Sequence, residues 1–329
     1  MTHKLICLLS KKDDYSNFML KNGICFLLDY IFRNNTKKFF FVDDISQSYF
    51  VKNKFDVVFF CDTDFFQNGF HEKLNFIKIK NILNSLNKTK KVFLSLGSFV
   101  HEKEKSHVLK TKKEIDAIRS LFFKNFVFCC DETSEQILKN AGIFSFLMPC
   151  ASYFYNGIAN KVKLPKQDVT LLWSDPKFFK DDKSFFDVYY LRNFNKLNQY
   201  FSKTYNAKVY CFENEEINSA KKCGINKPTI LNSFAELESV LHKSTVVVSG
   251  NFKYLVPAIQ QKCKVGNITL GIKSNFITTF GCTNIKKIDD FSKIKNTNLD
   301  LNLFIEKYKN LFYELGIVSN LQENKIPCL

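Results

Sequence analysis

The sequence predicts an α/β protein made of two doubly wound parallel-sheet domains that face a cleft. Three observations predict it. Short apolar runs alternate with amphipathic stretches along the whole chain. The runs lack the every-second-residue pattern of half-exposed strands, as parallel strands covered on both faces should. The rhythm breaks at a polar segment, 155–168, and then restarts. Strand–helix alternation builds an open parallel sheet, and 329 residues are too many for one ordinary core.

In the first half, KLICLL at 4–9, KFFFV at 38–42, FDVVFF at 55–60, KVFLSL at 91–96 and FVFCC at 126–130 read as buried strands. FSFLM at 144–148 is a candidate sixth. Helical patterns lie between them at 18–33, 72–87, 111–124 and 133–141. Gly157 and Pro165 mark 155–168 as the interdomain linker. The second half places strands at 169–173, 208–212, 228–231, 245–249 and 267–272, with helices at 183–205, 233–242 and 256–263. The stripe at 299–316 ends at Gly316 and reads as a terminal helix that packs back on the first half. The expected organisation is therefore a Rossmann-like domain over 1–155, a second over 156–298 that binds the donor substrate, and a C-terminal helix in 299–329.

Hydrophobic residues make up 45% and charged residues 24%, which excludes a disordered chain. The 48 Lys and Arg against 32 Asp and Glu give a net charge of +16, which suits anionic partners. The basic residues are spread evenly, without a basic tail, so a nucleic-acid arm is not expected. No apolar stretch is long enough to span a membrane, and the apolar N-terminal stretch is too short for a signal peptide. The expected location is the cytoplasm, with salt-sensitive peripheral contact at the anionic inner membrane face. The 11 Cys include no CxxC pair and mostly sit in apolar runs, so they read as buried free thiols. The five His show no metal spacing, and no P-loop, GxGxxG, GxSxG or HExxH occurs. Neither a metal nor a cofactor is expected.

Several corners can carry chemistry. Asp131, Glu132 and Ser134 follow the strand FVFCC, where Asp131 or Thr133 can cap the next helix and Thr133 with Gln136 forms a capping box. The corner reads either as a capped helix or as the lining of a cleft. Ser249, Gly250, Asn251 and Lys253 follow TVVVS. Pro257 disfavours a helix before it, which leaves 250–255 as a loop; it reads either as free N–H groups for an anion with Lys253 as an added charge, or as a structural turn with a surface lysine. Ser95-Leu96-Gly97-Ser98 ends VFLSL, and Gly97 and Ser98 allow close approach by a ligand. Asp62 and Asp64 lack a third ligand and read as a solvated loop. Lys21-Asn22-Gly23 opens or interrupts the first long helix, so Asn22 can face the cleft.

Taken together, FVFCCDETSEQILKNAGI, LMPCASYF and the run from FAELESVLHKSTVVVSGNFKYLVPAIQQ to NITLGIKSNF resemble the polysaccharide pyruvyl transferase family. The likeness runs from about 16 to 283 and is most specific over 121–155 and 234–276. That family shows an RDxxS corner, a PD pair and a SGRxH turn. Here Asp131 and Ser134 match the corner, with Cys130 in place of Arg, and Cys150 stands for the Asp of the PD pair. Ser249 and Gly250 match the turn, with Asn251 for Arg and Lys253 for His. Lys273 matches a later family lysine.

The resemblance implies a GT-B-like fold and transfer of pyruvate from phosphoenolpyruvate to a sugar hydroxyl of a surface glycan, the acceptor being free or lipid-linked. In that reading Asp131 or Glu132 is the acid/base and Lys253, Lys273 and the 249–251 turn hold the phosphate. Ser95 and Gly97 join the donor side, and Asn22 and Ser134 the acceptor side. The first alternative is a GT-B-type glycosyltransferase with a nucleotide-activated sugar at the same turn. The second is an inactive relative that binds a glycan or a partner.

Overall fold

Two six-stranded sheets organise the chain in its computed structural model. The structure describes residues 4–9, 15–33, 35–62, 65–66, 70–72, 74–86, 88–98, 111–155, 168–174, 183–205, 207–212, 214–225, 227–268, 282–285, 288–295 and 299–318. The chain forms two compact units, Met1–Asn160 with Asp300–Leu329, and Lys161–Leu299.

In unit 1 the strands are β1 (Lys4–Leu9), β2 (Thr36–Phe41), β3 (Val57–Cys61), β4 (Lys90–Leu96), β5 (Phe126–Cys129) and β6 (Phe146–Leu147). Their spatial order is β2-β1-β3-β4-β5-β6, and every pairing is parallel. The helices are α1 (Tyr15–Ile31), α2 (Gln47–Lys52), α3 (Leu74–Asn84), α4 (Lys112–Phe122) and α5 (Glu132–Asn140). All five residues of β3 are buried, which is why VVFFC shows no alternation.

In unit 2 the elements are β7 (Asp168–Leu172), α6 (Lys183–Tyr205), β8 (Lys208–Cys211), α7 (Asn214–Lys222), β9 (Thr229–Ile230) and α8 (Phe234–Lys243). They continue as β10 (Ser244–Ser249), α9 (Phe252–Gln260), β11 (Lys264–Asn267) and β12 (Thr283–Asn284). The order is β12-β11-β10-β7-β8-β9, again parallel. Trp173 stands edge-on to Phe194 at 4.9 Å in this unit's core. The last helix, α10 (Leu301–Glu314), packs on the sheet of unit 1. Its Phe312 lies 5.9 Å from Phe59 and 5.3 Å from Phe128, and Tyr308 donates to the Pro149 carbonyl at 2.8 Å. Phe32, Phe59, Phe60, Phe93 and Phe122 are among the largest fully buried side chains of this core.

Several expectations change. The helix expected over 256–263 begins at Phe252 and contains Pro257. Proline there removes one backbone hydrogen bond and costs about 3 kcal/mol against alanine. Burial of Phe252, Tyr254, Leu255, Val256, Ala258 and Ile259 on the same helix offsets that loss, at about 1.5–3 kcal/mol for each large side chain. The strand expected over 267–272 lies earlier, at Lys264–Asn267, and 269–281 falls outside the described residues.

Lys21-Asn22-Gly23 does not interrupt α1, which runs unbroken from Tyr15 to Ile31. Gly23 is needed because a Cβ there would stand 1.7 Å from the Ala151 carbonyl oxygen, in the short 3-10 helix Ala151–Phe154. Asn22 therefore lies inside a helix, not at a helix start. The expected linker is described only at Tyr155 and Asp168. The short elements α2, α7 and β12 carry no periodic signal long enough to read in the sequence.

Candidate functional site

Open parallel sheets bind ligands beyond the carboxyl ends of their strands, where the strand order reverses. In unit 2 that point lies between β7 and β10. The turn after β10 is built from its own residues. Ser249 Oγ donates to the Leu172 carbonyl at 2.8 Å and accepts from Asn251 N at 3.2 Å, tying β10 to the end of β7. Asn251 is the N-cap of α9, and its Oδ1 accepts from Lys253 N at 3.1 Å. The amides of Tyr254 and Leu255 reach the Asn251 carbonyl at 3.1 and 3.2 Å. The sequence expectation of a loop with free N–H groups over 250–255 is thus corrected. The helix begins earlier, and these amides are already engaged. What the turn retains is the positive end of α9 and buried Gly250.

Lys253 is not an exposed charge. Its side chain is 15% exposed, and its Nζ lies 3.5 Å from Oε1 of fully buried Glu216. It also lies 4.9 Å from the centre of the Tyr254 ring. Glu216 Oε2 accepts from Phe212 N and from Tyr254 Oη, both at 2.8 Å. Glu216 is the residue that sequence reasoning missed. It sits in the acidic run ENEE, where α7 turns this one carboxylate inward. Two further polar residues are fully buried at the same edge, Ser174 after β7 and Asn267 at the end of β11. Asn267 Nδ2 donates to Asn284 Oδ1 at 3.0 Å. Lys273 lies outside the described residues.

In unit 1 the order reverses between β1 and β3. Asp62 follows β3, while 10–14, 63 and 64 lie outside the described residues. Two strands away, β4 and β5 end in one network. Ser98 N and Oγ donate to Asp131 at 2.9 and 2.8 Å, and Ser134 N and Oγ at 2.7 and 2.9 Å. Asp131 is therefore the N-cap of α5, and the Thr133–Gln136 capping box does not form because the helix already begins at Glu132. Burial pushes the Asp131 carboxyl above the usual aspartate value, and the four hydrogen bonds oppose that rise. With both oxygens engaged, Asp131 is a structural cap. Glu132 is the exposed acid of this corner.

Ser95 adopts φ of 57°, rare for a residue with a side chain, and its Oγ accepts from Ala151 N at 2.9 Å. Gly97 ties β3 to β4 by donating to the Asp62 carbonyl at 3.2 Å. The structure thus joins Gly97, Asp131 and Ser134 through Ser98, and Ser95 through Ala151. Asn22 neighbours that second group through Gly23.

Of the residues that stand for the Arg and Asp of the family pattern, Cys130 Sγ donates to the Ser95 carbonyl at 3.6 Å and Cys150 Sγ accepts from Ser152 Oγ at 3.1 Å, and the two buried thiols interact with each other. Burial drives Cys130 well above the ordinary thiol value. Burial also acts on Cys150, but hydrogen bonds from Cys130 and Ser152 outweigh it and bring Cys150 below that value. All ten described cysteines are free, and no group of three metal-ligating side chains occurs among the described residues. No helix among the described residues is long and apolar enough to cross a membrane.

No known family model matches this chain. No curated protein matches it either. Solved structures do. A UDP-GlcNAc 2-epimerase from Methanocaldococcus jannaschii, crystallised with UDP-GlcNAc and UDP, is similar at 11% identity with a TM-score of 0.57, over 94% of this chain and 99% of that one. The Neisseria meningitidis UDP-GlcNAc 2-epimerase bound to UDP-GlcNAc is similar at 9% identity with a TM-score of 0.59, over 95% and 99%. MnaA of S. aureus with UDP is similar at 8% identity with a TM-score of 0.57, over 98% and 100%. At these identities the likeness speaks for the fold, and the chain has the GT-B-like architecture of two α/β domains.

Proposed function

We propose that this chain is a glycan-biosynthetic transferase that acts on a nucleotide-activated sugar, with the diphosphate seated at the Ser249–Lys253 turn. One observation carries the reading. That turn lies at the order reversal of a parallel sheet and leads directly into a helix, so its positive end faces the place where an anion binds. Three proteins of similar fold were crystallised with UDP or UDP-GlcNAc, and the charge of +16 suits a diphosphate. Cleavage of the bond from the sugar's anomeric carbon to the diphosphate leaves negative charge on the departing phosphate. The N-terminus of α9 offsets that charge, and a sugar hydroxyl of the acceptor takes the glycosyl group as its proton leaves with the nucleotide diphosphate.

Pyruvyl transfer needs recognition of the phosphoenolpyruvate carboxylate, for which a guanidinium fork is suited. Asn251 has no such fork and spends its side chain on capping α9. Lys253 faces Glu216. These two residues favour the nucleotide-sugar reading over the pyruvyl one.

The test is calorimetric titration of the whole chain with UDP, ADP and phosphoenolpyruvate. One of the two nucleotides should bind saturably. Asn251→Asp keeps the cap but sets a carboxylate beside the diphosphate, so its affinity should fall about tenfold or more, or about 1.4 kcal/mol, with the melting temperature retained. Binding of phosphoenolpyruvate alone would restore the pyruvyl reading. No binding of any of the three would favour the inactive one.

A further inference from the structure

Unit 1 carries a second cleft, at the edge where β3 and β4 begin, opposite the carboxyl ends of its strands. It encloses about 480 Å³, a size that accommodates a small organic ligand. Its floor is apolar, formed by buried Phe50, Phe55, Leu86 and Ile317. Its rim carries three exposed lysines, Lys54, Lys88 and Lys90.

The other polar groups of the wall are committed elsewhere. Thr89 Oγ1 donates to the Phe55 carbonyl at 3.0 Å, Ser85 Oγ to the Ile82 carbonyl at 2.7 Å, and Asn53 Nδ2 to the Tyr49 carbonyl at 2.9 Å. Asp56 is the one carboxylate of the lining, and it accepts from Lys4 N at 2.8 Å. Lys90 Nζ donates to the Gly316 carbonyl. Lys54 and Lys88 make no ion pair among the described residues. What the cleft offers a ligand is therefore an apolar floor and a rim of ammonium groups.

We propose that this cleft binds a small phosphorylated molecule with an apolar portion. The phosphate lies against Lys54 and Lys88, and the apolar portion rests on Phe55 and Leu86. A phosphomonoester carries close to two negative charges at neutral pH and matches several ammonium groups better than a single carboxylate does. The cleft belongs to unit 1 and so does not depend on what the 249–253 turn binds.

Phenyl phosphate is a suitable probe, with phenol as its uncharged counterpart. Reductive methylation with carbon-13 keeps the lysine charge and gives one NMR signal set per lysine. The Lys54 and Lys88 signals can be identified through Lys54→Gln and Lys88→Gln. Both should shift saturably with phenyl phosphate and stay still with phenol, while exposed Lys221 of unit 2 does not follow the same curve. In the Lys54→Gln/Lys88→Gln double variant, the Lys90 signal should respond at least about tenfold more weakly. The proposal fails if Lys54 and Lys88 shift no more than Lys221, or if Lys90 titrates alike in wild type and double variant.

Discussion

Lys253 shows what one buried partner does to a basic residue. From sequence it reads as a surface charge. In the fold it faces Glu216, which has no exposure of its own. Lys253→Ala would remove the ammonium that faces this buried carboxylate, so stability should drop by about 2–3 kcal/mol in chemical denaturation. An unchanged denaturation midpoint would mean that the pair contributes nothing. Residue identities in the corners were legible because strand ends and small polar residues mark them. Their partners were not, because two strands and a helix separate the helix of Glu216 from that of Lys253, and no local pattern joins them.

Tyr30 gives a pH-dependent case. Its hydroxyl donates to Glu306 at 2.6 Å, linking α1 to α10. Burial, then the bond to Glu306, raises the tyrosine from its usual 10 to about 12. The folded protein thus holds this proton more tightly than the unfolded chain does. The stabilisation is complete below pH 10 and is lost as pH climbs towards about 12. Tyr30→Phe should cost about 1 kcal/mol near neutral pH, and its deficit against wild type should shrink at alkaline pH. A deficit that stays constant to the alkaline end would contradict this account.

At the scale of elements, Gly23 decides how α1 meets the Ala151–Phe154 turn. Glycine inside an exposed helix normally weakens it by about 1 kcal/mol relative to alanine. Here the sign reverses, because the added methyl would meet a backbone carbonyl at 1.7 Å that cannot rotate away. Gly23→Ala should destabilise by about 3 kcal/mol, read as a lower melting temperature. A rise in melting temperature would show that helix propensity wins. The sequence marks Gly23 as unusual but points to a helix start, since the carbonyl that requires it lies 128 residues away. Pro257 misleads in the opposite direction. Its local rule says that the helix starts later, and burial of the apolar face of α9 overrides it. The long strands and the long helices α1, α6 and α10 were readable because their apolar runs are sustained. The two-residue strands β6, β9 and β12 exist through pairing with neighbours.

At the scale of the whole molecule, the doubly wound order of both sheets follows from the strand–helix rhythm, and this much was legible. The order reversal falls between β1 and β3 in unit 1 and between β7 and β10 in unit 2. The second of these gives the Ser249–Lys253 turn its position, which no motif in the sequence fixes by itself. The pyruvyl transferase resemblance led to the same turn and to the GT-B-like fold. The donor was beyond its reach, because the charged residues of that pattern are replaced here.

In the proposed reading a nucleotide diphosphate sits on the Ser249–Lys253 turn. Hydrogen–deuterium exchange of the whole chain, with and without saturating UDP, tests it most directly. Peptides covering 249–255 should exchange more slowly with UDP, while those covering 130–135 in unit 1 should not change. Bound UDP with unaltered exchange at 249–255 would contradict the account.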